Sequence, residues 1–250
     1  MREHLDAPPA CFVGLWNEDD VSYLFFTEIQ DAYVNEQLHR SGCLFKARHQ
    51  TRYSEWQDAM PADGVTFGKL VFVPDDHPSP PRGALLLDPS VAFGDGSHPT
   101  TRACLTFIHD LITETDVKSM LDLGTGTGIL SLAAAALGVQ DIVAVDLNLL
   151  AVQTAEKNVK LNHLGSTIAV REGDARSFVS AAFDLAVANL PFEVLESIAA
   201  LDRAANIEQW VISGISEAQG EIVAGLFSEK GFCRTRFQKD HPWVSFLMVR

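Results

Sequence analysis

Three glycines at alternating positions, Gly124, Gly126 and Gly128, constrain this chain more than any other feature. The stretch Leu121 to Gly128 follows Val117 to Met120 and precedes Ile129 to Leu137, an apolar run rich in Leu and Ala. That order predicts a buried strand, a tight turn and a helix. Glycine has no Cβ, so such a turn can be sharp and can approach a ligand closely. The helix that follows presents unpaired amides at its N-terminus. A second strand-like run, Asp141 to Val145, ends in Asp146, about twenty residues after the turn, where a carboxylate can accept from both ribose hydroxyls of a nucleoside. The pattern predicts a nucleoside-binding βαβ unit.

The spacing narrows the ligand. Dinucleotide folds use G-x-G-x-x-G, whereas these glycines alternate strictly and an acid, Asp122, stands just before them. Pattern and acid together resemble motif I of the Rossmann-like S-adenosylmethionine (SAM) methyltransferases. The resemblance implies SAM as cofactor. Gly124, Gly126 and Gly128 would make room for its methionine and ribose parts. Asp122 would accept a hydrogen bond from, or pair with, the methionine ammonium.

At 250 residues the chain is long enough for one ordinary domain and a smaller one. No apolar stretch is long enough to cross a membrane, and MREHLDAPPA lacks the apolar core of a secretory signal, so a cytoplasmic protein is expected. Cys11, Cys43, Cys104 and Cys233 are scattered, which suggests reduced thiols and neither a metal site nor a disulfide frame. The formal net charge of -14 argues against direct binding of duplex nucleic acid. It suits a basic protein substrate, such as a lysine-rich tail, and it equally suits solubility alone.

Residues 1–73 read as a small α+β N-terminal domain, open to either scaffolding or substrate docking. Cys11 to Trp16 and Ser22 to Ile29 are strand-like around the turn Asn17-Glu18-Asp19-Asp20. Asp31 to Arg40 reads as a helix ended by Ser41-Gly42, Leu44 to Arg52 as a strand, and Tyr53 to Met60 as a helix leading into Val65 to Val73. Residues 74–83 are proline-rich and polar, the composition of a stiff linker. Residues 84–250 would then form the methyltransferase domain.

That domain opens on the strand Leu85 to Leu87 and a loop rich in glycine and hydroxyls. Thr100 or Thr101 is placed to cap a helix over Arg102 to Leu111. The run Leu87-Asp88-Pro89-x-x-Ala92-Phe93-Gly94-x-Gly96-x-His98-Pro99-Thr100-Thr101, followed by a helix and the Asp122 to Gly128 turn, resembles the PrmA family. The likeness covers roughly Ser54 to Arg250. Members of that family trimethylate bacterial large-subunit ribosomal protein eleven at lysine and N-terminal amines. The resemblance implies that Thr101 touches SAM and that Phe93 and its neighbouring glycines cover it. His98 has two readings: proton acceptor for the substrate amine, or a structural histidine bonded to loop backbone.

Beyond Asp146, Leu149 to Leu161 is an amphipathic helix, and Thr167 to Arg171 a third strand followed by Asp174. Many SAM enzymes hold the adenine amino group with an acid there. Phe183 to Ala188 is an apolar central strand ending in Asn189-Leu190-Pro191-Phe192, at the edge where such sheets bind ligands. By resemblance Asn189 contacts SAM and is a second catalytic candidate beside His98. PrmA-type sequences continue with small residues, whereas Pro191-Phe192 is partway to the N-P-P-[FYW] signature of amino methyltransferases acting on glutamine side chains or adenine. An amide side chain and an exposed carbonyl can hold a planar nitrogen, with Pro191 and Phe192 as pocket wall. Helices over Val194 to Ala205 and Glu217 to Lys230, a strand over Gln209 to Ser213 and a terminal strand pair, Phe232 to Phe237 and Trp243 to Val249, complete a seven-stranded α/β sheet. Its expected order is 3-2-1-4-5-7-6, the last pair implied by the resemblance to Rossmann-like methyltransferases. Protein amine methylation leads. Methylation of another protein or a small amine, SAM binding without catalysis, and a nicotinamide oxidoreductase are the rivals, the last disfavoured by the glycine spacing.

Overall fold

The computed structural model describes residues 9, 12–18, 21–26, 28–49, 60–88 and 92–250. Cys11, most of the expected helix Tyr53 to Met60 and the Pro89–Val91 part of the loop motif lie outside the described residues.

The chain begins with an antiparallel hairpin, β1 (Phe12–Glu18) and β2 (Val21–Phe26), then α1 (Asp31–Ser41). Gly42 ends α1 in the left-handed conformation, as its lack of a Cβ allows. The strand expected over Leu44 to Arg52 does not form in its described part. Residues 44–49 carry no regular structure, and Leu44 is 93% exposed, so its side chain has no apolar surface to pack on.

β3 (Val65–Phe67), β4 (Leu70–Pro74) and β5 (Leu85–Leu87) make a three-stranded sheet, with β4 antiparallel to β3 and parallel to β5. The proline-rich residues 74–83, expected as an inter-domain linker, thus join two neighbouring strands of one sheet. The apolar side chains on either side of it give the reason. Phe72 and Leu87 are both fully buried, in a core shared with Cys104, Leu105 and Ile108 of α2 (Pro99–Glu114).

The main sheet contains β6 (Ser119–Leu123), β7 (Asp141–Asp146), β8 (Ile168–Glu172), β9 (Leu185–Asn189), β10 (Gln209–Ser216), β11 (Cys233–Asp240) and β12 (Trp243–Val249). Their order is β11-β12-β10-β9-β6-β7-β8. Counted from β6, that is 3-2-1-4-5-7-6, as expected. β8, β7, β6, β9 and β10 run parallel, and β12 joins β10 antiparallel with β11 antiparallel beyond it. Alternate residues feed two cores: Met120, Ile142 and Val187 on one face, Leu121, Val145 and Ala188 on the other. Burial on both faces explains why these strands read as near-continuous apolar runs.

Helices α3 (Ile129–Ala136), α4 (Leu149–Leu161), α5 (Ala175–Phe178), α6 (Phe192–Ala200) and α7 (Glu217–Ser228) connect the strands. α6 ends five residues before the expected Ala205, because Leu201 is extended and a 3-10 turn, Asp202–Asn206, follows. From β6 the chain winds outward to β8, then returns to place β9 on the other side of β6. The carboxyl ends of β6 and β9 therefore flank a reversal point, where open α/β sheets form their ligand crevice.

Candidate active site

The glycine bend lies at that reversal point. Gly124 and Gly126 have φ of 74° and 57°, a region that favours glycine. Both are also closely approached. A β-carbon on Gly124 would stand 2.3 Å from Leu190 Cδ2, and one on Gly126 would stand 2.2 Å from the Phe93 carbonyl oxygen. The Gly124 and Thr125 amides donate to the Val145 carbonyl at 2.8 and 2.9 Å, which anchors the bend to β7. The loop before α2 is fastened on at Thr127, whose amide donates to Phe93 O at 3.0 Å and whose hydroxyl donates to Gly94 O.

Asp122 sits beneath the bend, 1% exposed. Its Oδ2 accepts from Thr125 Oγ1 at 2.7 Å and Ser131 Oγ at 2.6 Å, while its Oδ1 has no partner. Burial pushes its carboxyl up to about 6, against the pull of those hydroxyls. Thr101 is equally buried, and its Oγ1 is also unpartnered. A buried polar atom left unpaired costs about 1–3 kcal/mol. Such atoms in native proteins call for an explanation. A ligand carrying a cationic amine supplies the donor that Asp122 Oδ1 lacks, so these residues fit SAM.

Asp146 ends β7 half-buried. It accepts from Gly126 N at 3.0 Å through Oδ2 and from Asn148 N at 2.8 Å through Oδ1. Burial raises its carboxyl above the ordinary range, opposed by those amides. The Leu147 amide supports it as well, and the carboxylate keeps acceptor capacity for a ligand hydroxyl. Asp174 stands at the same edge, next to Gly173, whose amide donates to Asp146 O at 2.9 Å. Its carboxylate caps α5 and takes bonds of 2.6 to 3.1 Å from the Arg176 guanidinium, which hold its carboxyl below the usual range.

On the other side of the crevice, His98 caps α2, the role expected of Thr100 or Thr101. Its Nδ1 accepts from Thr100 N at 3.3 Å and lies 2.7 Å from Thr100 Oγ1. A ring nitrogen that accepts an amide bond is unprotonated, so the neutral ring carries its proton on Nε2. Thr100 Oγ1 then donates to His98 and accepts from Asn189 Nδ2 at 3.1 Å. This chain of donors turns Asn189 Oδ1 outward as an acceptor. Burial lowers the His98 pKa, opposed by Asp95 and Asp240. Phe93 and Trp243 flank the ring edge-on, at centroid distances of 5.2 and 5.6 Å.

Gly214, in a bulge of β10 with φ of 89°, completes the arrangement. A β-carbon there would lie 2.8 Å from Leu190 O and 2.9 Å from Asn189 Oδ1. The end of β9 thus packs directly on the Gly214 backbone, with both carbonyl oxygens at a distance that only glycine allows. Pro191 is exposed at the N-cap of α6, and Phe192 packs half-buried against the second core. The neighbouring Cys104 thiol is fully buried and pushed up to about 12 by that burial, so it is no nucleophile.

Residues 13–250 match the family model for ribosomal protein L11 methyltransferase (PrmA). The chain belongs to the PrmA family. A ribosomal protein L11 methyltransferase of an Exiguobacterium strain is 38% identical over 175 residues, covering 68% of this chain and 54% of that protein. One from Bacillus cereus is 33% identical over 173 residues, covering 68% and 54%. The chain spans about half the length of the curated relatives it matches. Among solved structures, the ribosomal protein L11 methylase of Lactobacillus delbrueckii subsp. bulgaricus superposes with a TM-score of 0.62 at 28% identity, over 72% of this chain and 94% of that one. A precorrin 8W decarboxylase from Methanobacterium thermoautotrophicum, with a TM-score of 0.53 at 21% identity over 71% and 99%, shares the fold alone.

Within this PrmA-family chain, Phe93, Gly126, Asp122 and Asp146 gather about the bend, while His98, Asn189 and Leu190 stand on its β9 side. Sequence reasoning reads Thr100 only as a helix cap and assigns Gly214 and Trp243 no part in the site. Thr100 lies inside the conspicuous histidine-proline-threonine-threonine run, so its signal was available. Gly214 and Trp243 reach the site only through sheet pairing between β10 and β12, which no local pattern announces.

Proposed function

We propose that this chain is a SAM-dependent N-methyltransferase acting on lysine or N-terminal amines of ribosomal protein L11 in the cytoplasm. Family membership supports the reaction class. The observation that carries the acceptor chemistry is the neighbouring pair of acceptors at the end of β9, Asn189 Oδ1 and Leu190 O, both held against Gly214. Two accepted hydrogen bonds there would orient a neutral amine and leave its lone pair free for attack.

When bound, SAM supplies a methyl carbon made electrophilic by the sulfonium. The protein's own task is positioning. Asp122 and Thr101 would hold the methionine end, Asp146 the ribose, and Asp174 the adenine edge once its bonds to Arg176 rearrange. Gly124, Gly126 and Gly128 let the backbone come close, and Phe93 would close over the ligand. A free lysine amine has a pKa of about 10.4 and must lose a proton before attack. Burial beside Phe93 and Trp243 favours the neutral amine. With Nδ1 committed to Thr100, His98 orients Asn189 through the hydroxyl. The overall charge of -14 would draw in a basic protein substrate. The hairpin and α1, residues 12–41, which precede the sheet shared by β3, β4 and β5, are the proposed contact for that substrate.

The departure at Leu190-Pro191-Phe192 favours a second reading, an amine of another protein or of a small molecule. Incubation with methyl-labelled SAM and isolated ribosomal proteins separates the two. Label on ribosomal protein L11 supports the first. Label only on another acceptor supports the second, and SAM binding without transfer leaves a non-catalytic binder.

A further inference from the structure

Helix α4 carries two asparagines one turn apart, Asn158 and Asn162, and both grip β5. Asn162 accepts from Leu86 N at 2.9 Å and donates to Leu86 O at 2.7 Å. Asn158 repeats this at Asp88, accepting from its N–H and donating to its carbonyl, both at 2.8 Å. Each side-chain amide thus pairs with one residue's backbone as a neighbouring strand would. Lys157 adds an ion pair to Asp88 at 2.5 Å and another to Asp75 at 3.0 Å.

The two asparagines differ in one respect. Asn158 Nδ2 also donates to the carbonyl of Thr127, in the glycine bend, at 2.9 Å. Asn162 instead sends its second donor to the Asn158 carbonyl at 2.8 Å. Asn158 is fully buried. Thr127 in turn holds Phe93 and Gly94. One side chain therefore fastens the base of the loop, at Asp88, to the bend, and the bend fastens the middle of that loop. Both Asn158 donor hydrogens and its oxygen are spent on backbone, so it has no donor left for a ligand.

We propose that Asn158 is a positioning residue for the SAM crevice: it sets the separation between loop and bend without touching the cofactor. The inference rests on the SAM reading above, and its test separates the two. Asn158→Asp keeps the acceptor for Asp88 N but sets oxygen against the carbonyls of Asp88 and Thr127. Asn162→Asp does the same to Leu86 and leaves the bend alone. Amide hydrogen exchange of the SAM-free protein should quicken about tenfold at residues 92–98 and 124–128 in Asn158→Asp, and only around residues 85–88 in Asn162→Asp. In calorimetry, SAM should bind Asn158→Asp about tenfold more weakly, ~1.4 kcal/mol, and Asn162→Asp as it binds the native chain. If Asn158→Asp does not fold, Asn158→Ser leaves room for a water to bridge the carbonyls and serves in its place. Unchanged exchange at the bend, or equal effects from both positions, overturns the proposal. A native chain that binds no SAM overturns the reading beneath it, while the exchange data still decide whether Asn158 couples loop to bend.

Discussion

The Asn189 amide donates to the Thr100 hydroxyl at 3.1 Å, which ties the end of β9 to the first turn of α2. That bond fixes which way the Asn189 amide faces and so which atom would meet an amine in the proposed reaction. Thr100→Val keeps the shape and removes the hydroxyl. It should destabilise the fold by about 1–2 kcal/mol and lower kcat about tenfold or more, with KM for SAM little changed. Steady-state kinetics with each substrate varied in turn checks the split.

Gly214→Ala tests the convergence of the two carbonyls. The backbone there has φ of 89°, so a side chain costs about 1–2 kcal/mol of strain. The added methyl would also press on Leu190 O and Asn189 Oδ1 and push the end of β9 out of place. Methyl transfer should fall about a hundredfold while calorimetry still finds SAM bound.

Asp146→Ala should weaken SAM binding and also cost stability. Gly126 N and Asn148 N both bond to that carboxylate, so about 1–3 kcal/mol should be lost when their partner goes. Urea denaturation beside SAM titration separates the two effects. Asn148→Ala, which removes the cap of α4 at Leu150 without touching the bend, should cost only stability.

The raised carboxyls predict a pH dependence. Asp122 is pushed from an ordinary 3.8 to about 6 in the folded chain, mainly by burial, and Asp146 shifts the same way. Between those values the folded state holds more protons than the unfolded one, so this stabilising contribution is full below about 4 and is lost as pH rises through about 6. A cationic ligand favours ionised Asp122, so SAM affinity should rise over the same window. Asp122→Asn should flatten both curves in part, with Asp146 supplying the remainder.

Much of this was legible in the sequence. Residues 117–123, 141–145 and 183–188 are largely apolar runs, and glycine punctuation marked the bend, so the parallel strands and the reversal point could be anticipated, while the placing of the last two strands came from the family resemblance. Asp146 and Asn189 stand at expected strand ends, and Asp122 was placed by the resemblance to motif I. What could not be read depends on distant pairing. Asn158 lies inside a run read only as an amphipathic helix and Asn162 in the turn that closes it, yet both bond backbone at β5 and the residue after it. Leu85 to Leu87 gave no hint that its partner was β4, across a run of prolines. Thr100 was read as a helix cap because hydroxyls commonly cap, but the His98 ring takes that role and frees the hydroxyl to reach Asn189. Residues 44–49 had strand-like composition and pair with no strand among the described residues.

The most direct test of the account is a calorimetric titration of the native chain with SAM, repeated on Asp122→Asn and Thr101→Val. One SAM per chain, bound less tightly by both variants, is the predicted result. No binding heat in the native chain, or full affinity in both variants, would contradict a cofactor seated on the unpaired oxygens of Asp122 and Thr101.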